Sequence, residues 1–383
     1  MAELTTSDRR GDQYVYGIDV VRFCAAVSVA AFHFTLDRPE SVWTMPVGWI
    51  GVQVFFVISG FVIANSARGA TPWRFATGRI LRLYPVAIWA AAINFAIFNL
   101  VPEKVYDYFG LGGDSEGVVQ LVQSVLLFGT SFLAGSYWTL PVELAFYSVI
   151  FVLLVFRGFA HLRWVAIALT VVSTPYLITL ALHGSEVVNT PWIDFQYGLK
   201  NTLLVRHGPY FALGIFLWLW KQGLMKAGDW LAAAVCLILA GLEIFATADA
   251  TAPFYVTPAG APPLTGAFLI QASLLTFAVA FAVIVASVMW NAKFPASPRL
   301  RAVVRMMGLA TYPYYLLHEA VGALIFYSLL SLGVPFYPGL LMALCAVGAI
   351  ALFIALTLEP FLRRYMKRSI EVVGTWLPAQ ARA

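Results

Sequence analysis

Charged residues are scarce in this 383-residue chain. Asp, Glu, Lys and Arg make up 11% of it, whereas soluble domains are about a quarter charged. Hydrophobic residues account for 61%, and the mean hydropathy is +0.82. This composition excludes an ordinary soluble domain and predicts a protein that crosses the membrane several times.

Cysteine is also rare, and its placement argues against redox or metal chemistry. Cys24, Cys236 and Cys345 all lie in apolar segments, so we expect buried small side chains rather than a disulfide or a metal site. The chain has no CxxC pair and no HExxH motif, and we expect no metal. The net charge of +5 requires no nucleic-acid partner, because cytoplasmic loops of membrane proteins collect Lys and Arg.

Apolar stretches of the length of membrane helices, about 20 residues, recur along the chain. We predict an all-α integral membrane protein in which about ten transmembrane helices surround an intramembrane active-site cavity. A shorter stretch, 118–134, is interrupted by glycine, and we predict an interfacial or re-entrant helix there. The alternative is an eleventh span, which would reverse the orientation of everything after it. The expected parts of the chain are a cytoplasmic segment over 1–16, a membrane domain over 17–358 and a cytoplasmic tail over 359–383. The predicted spans are 17–36, 47–67, 76–100, 138–156, 164–182, 203–220, 230–248, 266–290, 307–330 and 337–358.

The distribution of basic residues predicts how these spans are oriented. With the N-terminus in the cytoplasm, 20 of the 24 Lys and Arg face the cytoplasm, as the positive-inside rule requires. We therefore expect a multi-pass protein of the inner membrane with both termini in the cytoplasm. The basic residues on the outer side are Arg38, Lys104, Lys200 and Arg206.

The first predicted span carries Asp19, Arg22 and His33. One ionisable side chain near the bilayer centre costs at least ~2.5–3.5 kcal/mol, so these residues require partners or a function. Arg22 and His33 are eleven residues apart, which places them on one helix face and about 16 Å apart along the axis. This face presents a permanent cation toward one membrane surface and a titratable base toward the other.

Other ionisable residues are expected at the depths of Arg22 and His33. Arg79 and Arg82 share a helix face at the cytoplasmic start of span 3, where they either contact lipid head groups or clamp phosphates. Glu143 is expected at the depth of His33, where a Glu–His contact would orient the imidazole. The alternative for Glu143 is a structural ion pair with Arg206.

Several positions keep two interpretations. Ser59 and Gly60 in span 2 either let helices pack closely or make room for a substrate chain. His318 in span 9 either lines the cavity or packs helices together. Glu359, after span 10, is level with the cytoplasmic arginines and is expected to pair with one of them. We assign no role to His161, His183 or His207.

Five motifs follow one another along the chain: Asp19-x-x-Arg22 with His33, Phe55-Phe56-x-Ile58-Ser59-Gly60-Phe61, Arg79-x-x-Arg82-Leu83-x-Pro85, Trp138-x-Leu140-x-x-Glu143-x-x-Phe146-Tyr147, and Tyr315-Leu316-Leu317-His318. In this order they resemble the membrane-bound acyltransferase-3 family, whose members O-acylate extracytoplasmic glycans, lipids and macrolides. The resemblance covers about residues 14–368. Gln53 and Pro141 depart from the family pattern, and neither is expected to touch the chemistry. Because an appended SGNH-type domain is lacking, we expect the transfer to be completed within the membrane.

The resemblance implies a donor, an acceptor and a role for each motif. The donor would be acetyl-CoA or another acyl-CoA from the cytoplasm, and the acceptor a hydroxyl of a carbohydrate, a lipid-linked glycan or a macrolide. His33 and Glu143 would be the catalytic residues. The CoA would be bound by Arg22, Ser59, Arg79 and Arg82, and the acceptor would be contacted by Trp138, Tyr315 and His318.

The reach of CoA agrees with this assignment. Its pantetheine arm extends about 15–20 Å, which matches the separation of Arg22 and His33. Two rival classes stay open: a proton-coupled transporter that uses Arg22, His33, Glu143 and His318 as a relay, and a structural or flippase-like partner of polysaccharide assembly. The sequence also leaves open a homo-oligomer, the length of the acyl chain and the group that stabilises the oxyanion.

Overall fold

The computed structural model describes residues 14–36, 45–100, 117–129, 131–188, 203–252, 265–291 and 297–375. These residues form helices and short connections and contain no β-strand. Two 3₁₀ turns, Gly135–Trp138 and Phe159–His161, and two π-helical turns, His318–Gly322 and Ile354–Leu358, interrupt or join the α-helices. The α-helices of the described residues are α1 (Tyr16–Thr35), α2 (Ile50–Ala67), α3 (Pro72–Leu100), α4 (Gly117–Leu126), α5 (Thr139–Val155), α6 (Leu162–Val188), α7 (Gly208–Lys221), α8 (Ala227–Thr251), α9 (Gly266–Met289), α10 (Pro298–Leu317), α11 (Ala323–Ser331), α12 (Phe336–Phe353) and α13 (Glu359–Thr375).

Within the described residues, 8 helical segments are long and apolar enough to cross a membrane. Two predicted spans are not among them. The span predicted at 203–220 contains α7, whose 14 residues extend only about 21 Å. The span predicted at 307–330 runs through the second half of α10, the π turn and α11, and it carries His318 and Glu319. The prediction of an all-α, multi-pass membrane protein is confirmed.

The stretch predicted to be interfacial or re-entrant contains α4. This helix has 10 residues and is followed by Leu127 at a φ of 56°. Ten residues extend about 15 Å, half of the ~30 Å hydrocarbon core, so α4 cannot cross the bilayer as a helix. Its side chains Val118 and Leu126 are exposed, and α4 packs on α3.

The last span and the start of the predicted tail form one helical run. The π turn Ile354–Leu358 joins α12 to α13, so helical structure continues past residue 358. Glu359 is 3% exposed, and its Oε1 lies 3.9 Å from Nη1 of Arg363 one turn later. The prediction that Glu359 pairs with a neighbouring arginine is confirmed.

Helix α2 packs closely on α7 because both helices carry glycine where they cross. A Cβ on Gly60 would lie 2.2 Å from the carbonyl oxygen of Phe211, and one on Gly214 would lie 2.2 Å from that of Val57. Such distances exclude any side chain and let the backbones touch. The packing interpretation therefore holds for Gly60.

Helix α1 is unbroken from end to end, so Arg22 and His33 lie on one helix as predicted. It packs on α2, α9 and α10, and glycines again permit the contact. A Cβ on Gly51 would lie 2.5 Å from the carbonyl oxygen of Ala25, and one on Gly308 would lie 2.4 Å from the carboxyl carbon of Asp19. This close packing holds α1 beside the internal cavities described next.

Candidate active site

A cavity of about 500 Å³ lies at the N-terminal end of α1. We call it the arginine cavity. Its walls come from α1, α2, α3, α5, α10 and α13. Two acidic residues, Asp19 and Glu143, face an excess of cations there, which are Arg22, Arg79, Arg82, Arg305 and Arg363.

The three arginines predicted to hold CoA keep their charge available. Among the described residues, none of Arg22, Arg79 and Arg82 forms an ion pair with a carboxylate. The Nε of Arg79 is buried and has no hydrogen-bond partner, and its guanidinium lies 5.8 Å from the ring centre of Tyr147. Guanidinium groups whose donors are not engaged by the protein suit a phosphate, which can accept two parallel hydrogen bonds.

Asp19 is engaged by Tyr14 rather than by Arg22. The Tyr14 hydroxyl donates a hydrogen bond to Oδ2 of Asp19, and the guanidinium of Arg305 lies 5.3 Å from the Tyr14 ring centre. Burial and this hydrogen bond raise the pKa of Tyr14, so the phenol stays protonated and continues to donate. Asp19 therefore leaves Arg22 available to a ligand.

Glu143 lies in the arginine cavity. It contacts neither His33 nor Arg206, the two partners that the sequence suggested. The Ser59 hydroxyl donates to Oε1 of Glu143 at 2.7 Å, and the Tyr147 hydroxyl donates to the same oxygen. Among the described residues, Glu143 has no contact with His33, and Arg206 pairs with Glu243 instead. Depth along the membrane does not show which side of a helix a residue occupies, and that side decides its partner.

A narrow cavity of about 50 Å³, which we call the neck, lies between the arginine cavity and His33. It shares Arg22, Ser59 and Glu143 with the arginine cavity and Tyr315 with the cavity around His33. The buried hydroxyl of Tyr312, which lines the neck, has no hydrogen-bond partner. The wall of this small cavity thus combines apolar side chains with hydroxyl groups and, at the end shared with the arginine cavity, with Arg22 and Glu143. Its further lining residues are Val52, Phe55, Phe56, Thr139, Leu140 and Thr311.

The third cavity, of about 310 Å³, surrounds His33 near the C-terminal end of α1, and we call it the histidine cavity. Trp138 and Tyr315, both predicted to contact the acceptor, line it. The Tyr315 hydroxyl lies 3.3 Å from the Thr139 hydroxyl and is shared with the neck. The three cavities thus adjoin one another through shared lining residues, in a row from the arginines to His33.

His318 lies against His33, with ring centres 5.2 Å apart, but it is fully buried and does not line the histidine cavity. Its Nδ1 is 2.7 Å from the carbonyl oxygen of Tyr315, which can only accept, so Nδ1 carries the hydrogen. Its Nε2 is buried and unpartnered. The π turn begins at His318, and π turns of this kind often occur at functional sites.

Several polar residues of the histidine cavity were not assigned to the site from the sequence, and four of them bear on the chemistry proposed below. They are Gln53, His207, Glu243 and Glu319. Oε2 of Glu319 accepts a hydrogen bond from the backbone N–H of Ser136 at 2.5 Å. The available signal was the presence of polar residues inside apolar spans, which by default marks a functional site.

The fold and the cavities define a class: a multi-pass, all-α membrane protein that contains a cationic cavity and a histidine cavity, with the neck between them. A family model described as an acyltransferase domain, that of the acyltransferase-3 family, matches residues 15–359. The chain belongs to this family and is a membrane acyltransferase, as the motifs indicated. The comparisons with curated proteins and with solved structures find no match.

Proposed function

We propose that this chain is an O-acyltransferase that moves an acyl group, acetyl in the simplest case, from acyl-CoA to a hydroxyl. The acceptor would be a carbohydrate, a lipid-linked glycan or a macrolide. One observation carries the proposal: the arginine cavity and His33 occupy opposite ends of α1, with the neck between them. The same helix therefore serves an anionic donor at one end and a base at the other.

The arginine cavity supports a donor that carries phosphates. CoA has three phosphate groups, and Arg22, Arg79 and Arg82 are free of carboxylate partners among the described residues. The neck suits the thin pantetheine arm, whose length of about 15–20 Å covers the ~16 Å between Arg22 and His33. Ser59 and Glu143 line this path and would contact the arm.

The histidine cavity supports proton transfer from the acceptor. His33 takes the proton of the acceptor hydroxyl as its oxygen attacks the thioester carbonyl. The tetrahedral intermediate then expels the CoA sulfur, which takes a proton from the imidazolium of His33. Glu319 shares the cavity and would stabilise that imidazolium, the role that the sequence suggested for Glu143.

The transporter alternative receives no comparable support from the arrangement of its four residues. His33 and His318 adjoin each other, whereas Arg22 and Glu143 line the arginine cavity. In the described part of the chain, no hydrogen bond joins the first pair to the second. Acyl transfer uses two groups at opposite ends of α1 for two different tasks, so it accounts better for their separation.

The proposal is tested by separating donor binding from chemistry. A charge-assisted hydrogen bond contributes about 1.5–3 kcal/mol, so Arg22→Ala, Arg79→Ala and Arg82→Ala should each weaken acetyl-CoA binding by roughly 10- to 150-fold. Loss of a general base costs about 10²- to 10⁴-fold in rate, so His33→Ala should bind acetyl-CoA yet transfer almost no acetyl group. Calorimetry on the detergent-purified variants measures the first effect, and product formation measures the second.

Arg299→Ala is the matched control, because Arg299 is exposed at the start of α10 and lines none of the three cavities. It should change neither quantity. The two-ended site would be contradicted if His33→Ala lost acetyl-CoA binding while the three arginine variants kept it.

A further inference from the structure

One wall of the histidine cavity is built around a fully buried carboxylate, that of Glu243 on α8. Its Oε1 accepts hydrogen bonds from Nε of Arg206 at 2.9 Å and from the Thr247 hydroxyl at 2.8 Å. Its Oε2 accepts from the Tyr210 hydroxyl at 2.8 Å and from Nε2 of Gln53 at 3.3 Å. Each oxygen thus receives two donors.

This saturation defines what Glu243 can do. A carboxylate has about four acceptor positions, and here all of them are occupied. Glu243 is therefore not available to a proton or a ligand, and its effect is to orient the groups that donate to it. Because Gln53 donates through Nε2, its Oε1 is fixed as an acceptor.

Two buried polar atoms beside this carboxylate have no partner in the described structure. They are Oε1 of Gln53 and Nδ1 of His207, and both residues line the histidine cavity. Buried polar atoms are nearly always hydrogen-bonded, so an unsatisfied pair at a cavity wall indicates a ligand that supplies the missing contacts. A hydroxyl group, which both donates and accepts, satisfies either atom.

An aromatic surface lies next to these two atoms. The Trp138 ring lines the cavity, is partly exposed and lies 5.4 Å from the His207 ring, measured between ring centres. A flat apolar surface beside hydrogen-bonding groups suits a ring that has apolar C–H bonds on its face and hydroxyls on its edge.

The charges of the wall distinguish it from the arginine cavity. The ion pair of Arg206 with Glu243 is neutral as a unit, and Glu319 is the remaining acidic residue of the histidine cavity. A carboxylate or phosphate on the acceptor would be repelled by Glu319. Arg206, the arginine of this cavity, is paired with the carboxylate of Glu243 and does not offset that repulsion. The cavity therefore favours an uncharged ligand over an anion.

We infer that this wall is the acceptor-binding site and that it selects a neutral, polyhydroxylated ring over an acidic one. We call it the acceptor wall, formed by Gln53, Trp138, Arg206, His207, Glu243 and Thr247. The inference rests on the proposed O-acyltransferase function and names the chemistry of its acceptor. Gln53 and His207 bind hydroxyls of the ring, and Trp138 covers its face.

The test uses neutral and acidic rings of otherwise equal shape. Acetyl transfer is measured to the methyl glycosides of glucose, galactose and mannose and to those of the corresponding uronic acids. The wild-type chain should use at least one neutral glycoside, with kcat/KM about tenfold or more above its uronate. Gln53→Leu and His207→Phe should each raise the KM for that glycoside by about tenfold, the effect of one lost hydrogen bond, and should leave acetyl-CoA binding unchanged.

Ser273→Ala is the matched control, because Ser273 is also buried with an unpartnered hydroxyl but lines none of the three cavities. It should change neither KM nor donor binding. Each of three results would overturn the acceptor wall. They are a preference for the uronates, no transfer to any neutral glycoside, and an unchanged KM in folded Gln53→Leu and His207→Phe. Failure of the wild-type chain to bind acetyl-CoA would instead contradict the proposed function. Thermal unfolding of each variant identifies those that fold, and either of the two substitutions suffices for the test.

Discussion

At the scale of single residues, Glu143 carries a negative charge among the arginines of the arginine cavity, and both of its hydrogen bonds fall on Oε1. A glutamine can place its carbonyl oxygen at that position and accept from Ser59 and Tyr147 in the same way. An alanine cannot, and it leaves two partly or fully buried hydroxyls without an acceptor. The two substitutions therefore separate the hydrogen bonds of Glu143 from its charge.

We expect Glu143→Ala to lower the free energy of unfolding by about 1–3 kcal/mol relative to Glu143→Gln, since an unsatisfied buried group costs that much. Thermal unfolding of the detergent-purified proteins measures the difference. Glu371→Ala is the control, because Glu371 is exposed and its pair with Lys367 lies at the surface, where such pairs contribute little. Equal stability of Glu143→Ala and Glu143→Gln would show that the two hydrogen bonds do not stabilise the fold.

At the scale of helices, α2 contributes to both the arginine cavity and the acceptor wall, and it crosses α7 at close range. Helix α2 carries Ser59 toward Glu143 and Gln53 toward Glu243, while Gly60 meets the backbone of α7. The same helix thus contributes to both ends of the path. A substitution at the crossing should therefore lower the stability of the whole protein and not only remove one contact.

Gly60→Ala and Gly214→Ala should each destabilise the protein by about 1–3 kcal/mol or more, because the added methyl group meets backbone atoms that cannot rotate away. Gly228→Ala is the matched control: a Cβ there meets nothing within 4 Å, and alanine is favoured in helices by about 0.5–1 kcal/mol. It should leave stability unchanged or raise it. The midpoint of thermal unfolding measures these effects. The close crossing would be contradicted if Gly60→Ala and Gly214→Ala lowered that midpoint no more than Gly228→Ala does.

The π turn between α10 and α11 positions His318 and Glu319 relative to α1. A Cβ on Gly322, at the end of the turn, would lie 2.3 Å from Cζ of Phe34, the residue that follows His33. The turn also displaces the regular helical hydrogen bonds, and Nδ2 of Asn94 donates to the carbonyl oxygen of Leu316 at 3.1 Å. A regular helix through these residues would change the rotation of α11 relative to α10.

At the scale of the whole molecule, the residues predicted on one side of the membrane gather at one end of the structure. The five arginines of the arginine cavity were all placed on the cytoplasmic side by the charge distribution, and Arg206 of the histidine cavity on the outer side. Each cavity therefore draws its basic residues from one predicted side. This agreement supports a donor that enters from the cytoplasm and an acceptor that enters from outside.

Reporter fusions test this orientation. The turns at Gly223 and Gly333, both with positive φ, connect α7 to α8 and α11 to α12. A fusion inserted at Gly223 should report the cytoplasm, because Lys221 and Lys226 flank it, and so should one at the C-terminus, because the last helix is rich in Arg and Lys. A fusion at Gly333 should report the outer side. A cytoplasmic signal at Gly333 or an external signal at the C-terminus would contradict the predicted topology.

The sequence by itself determined the class of fold, the family and the grouping of Arg22, Arg79 and Arg82. Hydrophobic length is a local property, so most of the predicted spans became helices of the required length. Arg22 and His33 share one helix, and their separation follows from the rise per residue alone. Arg79 and Arg82 line the same cavity as Arg22, as their predicted depth required.

Only the tertiary structure decided which polar residues meet. Glu143 faces Ser59 and Tyr147 rather than His33, and Gln53 and His207 line the acceptor wall although the sequence assigned neither to the site. Depth restricts a residue to a layer of the membrane, but its partner depends on the rotation and crossing of the helices. Rotation and crossing are decided by packing between segments far apart in the chain. The sequence indicates that Gly60 permits a close helix contact, but only the structure shows that Phe211 and Gly214 make it.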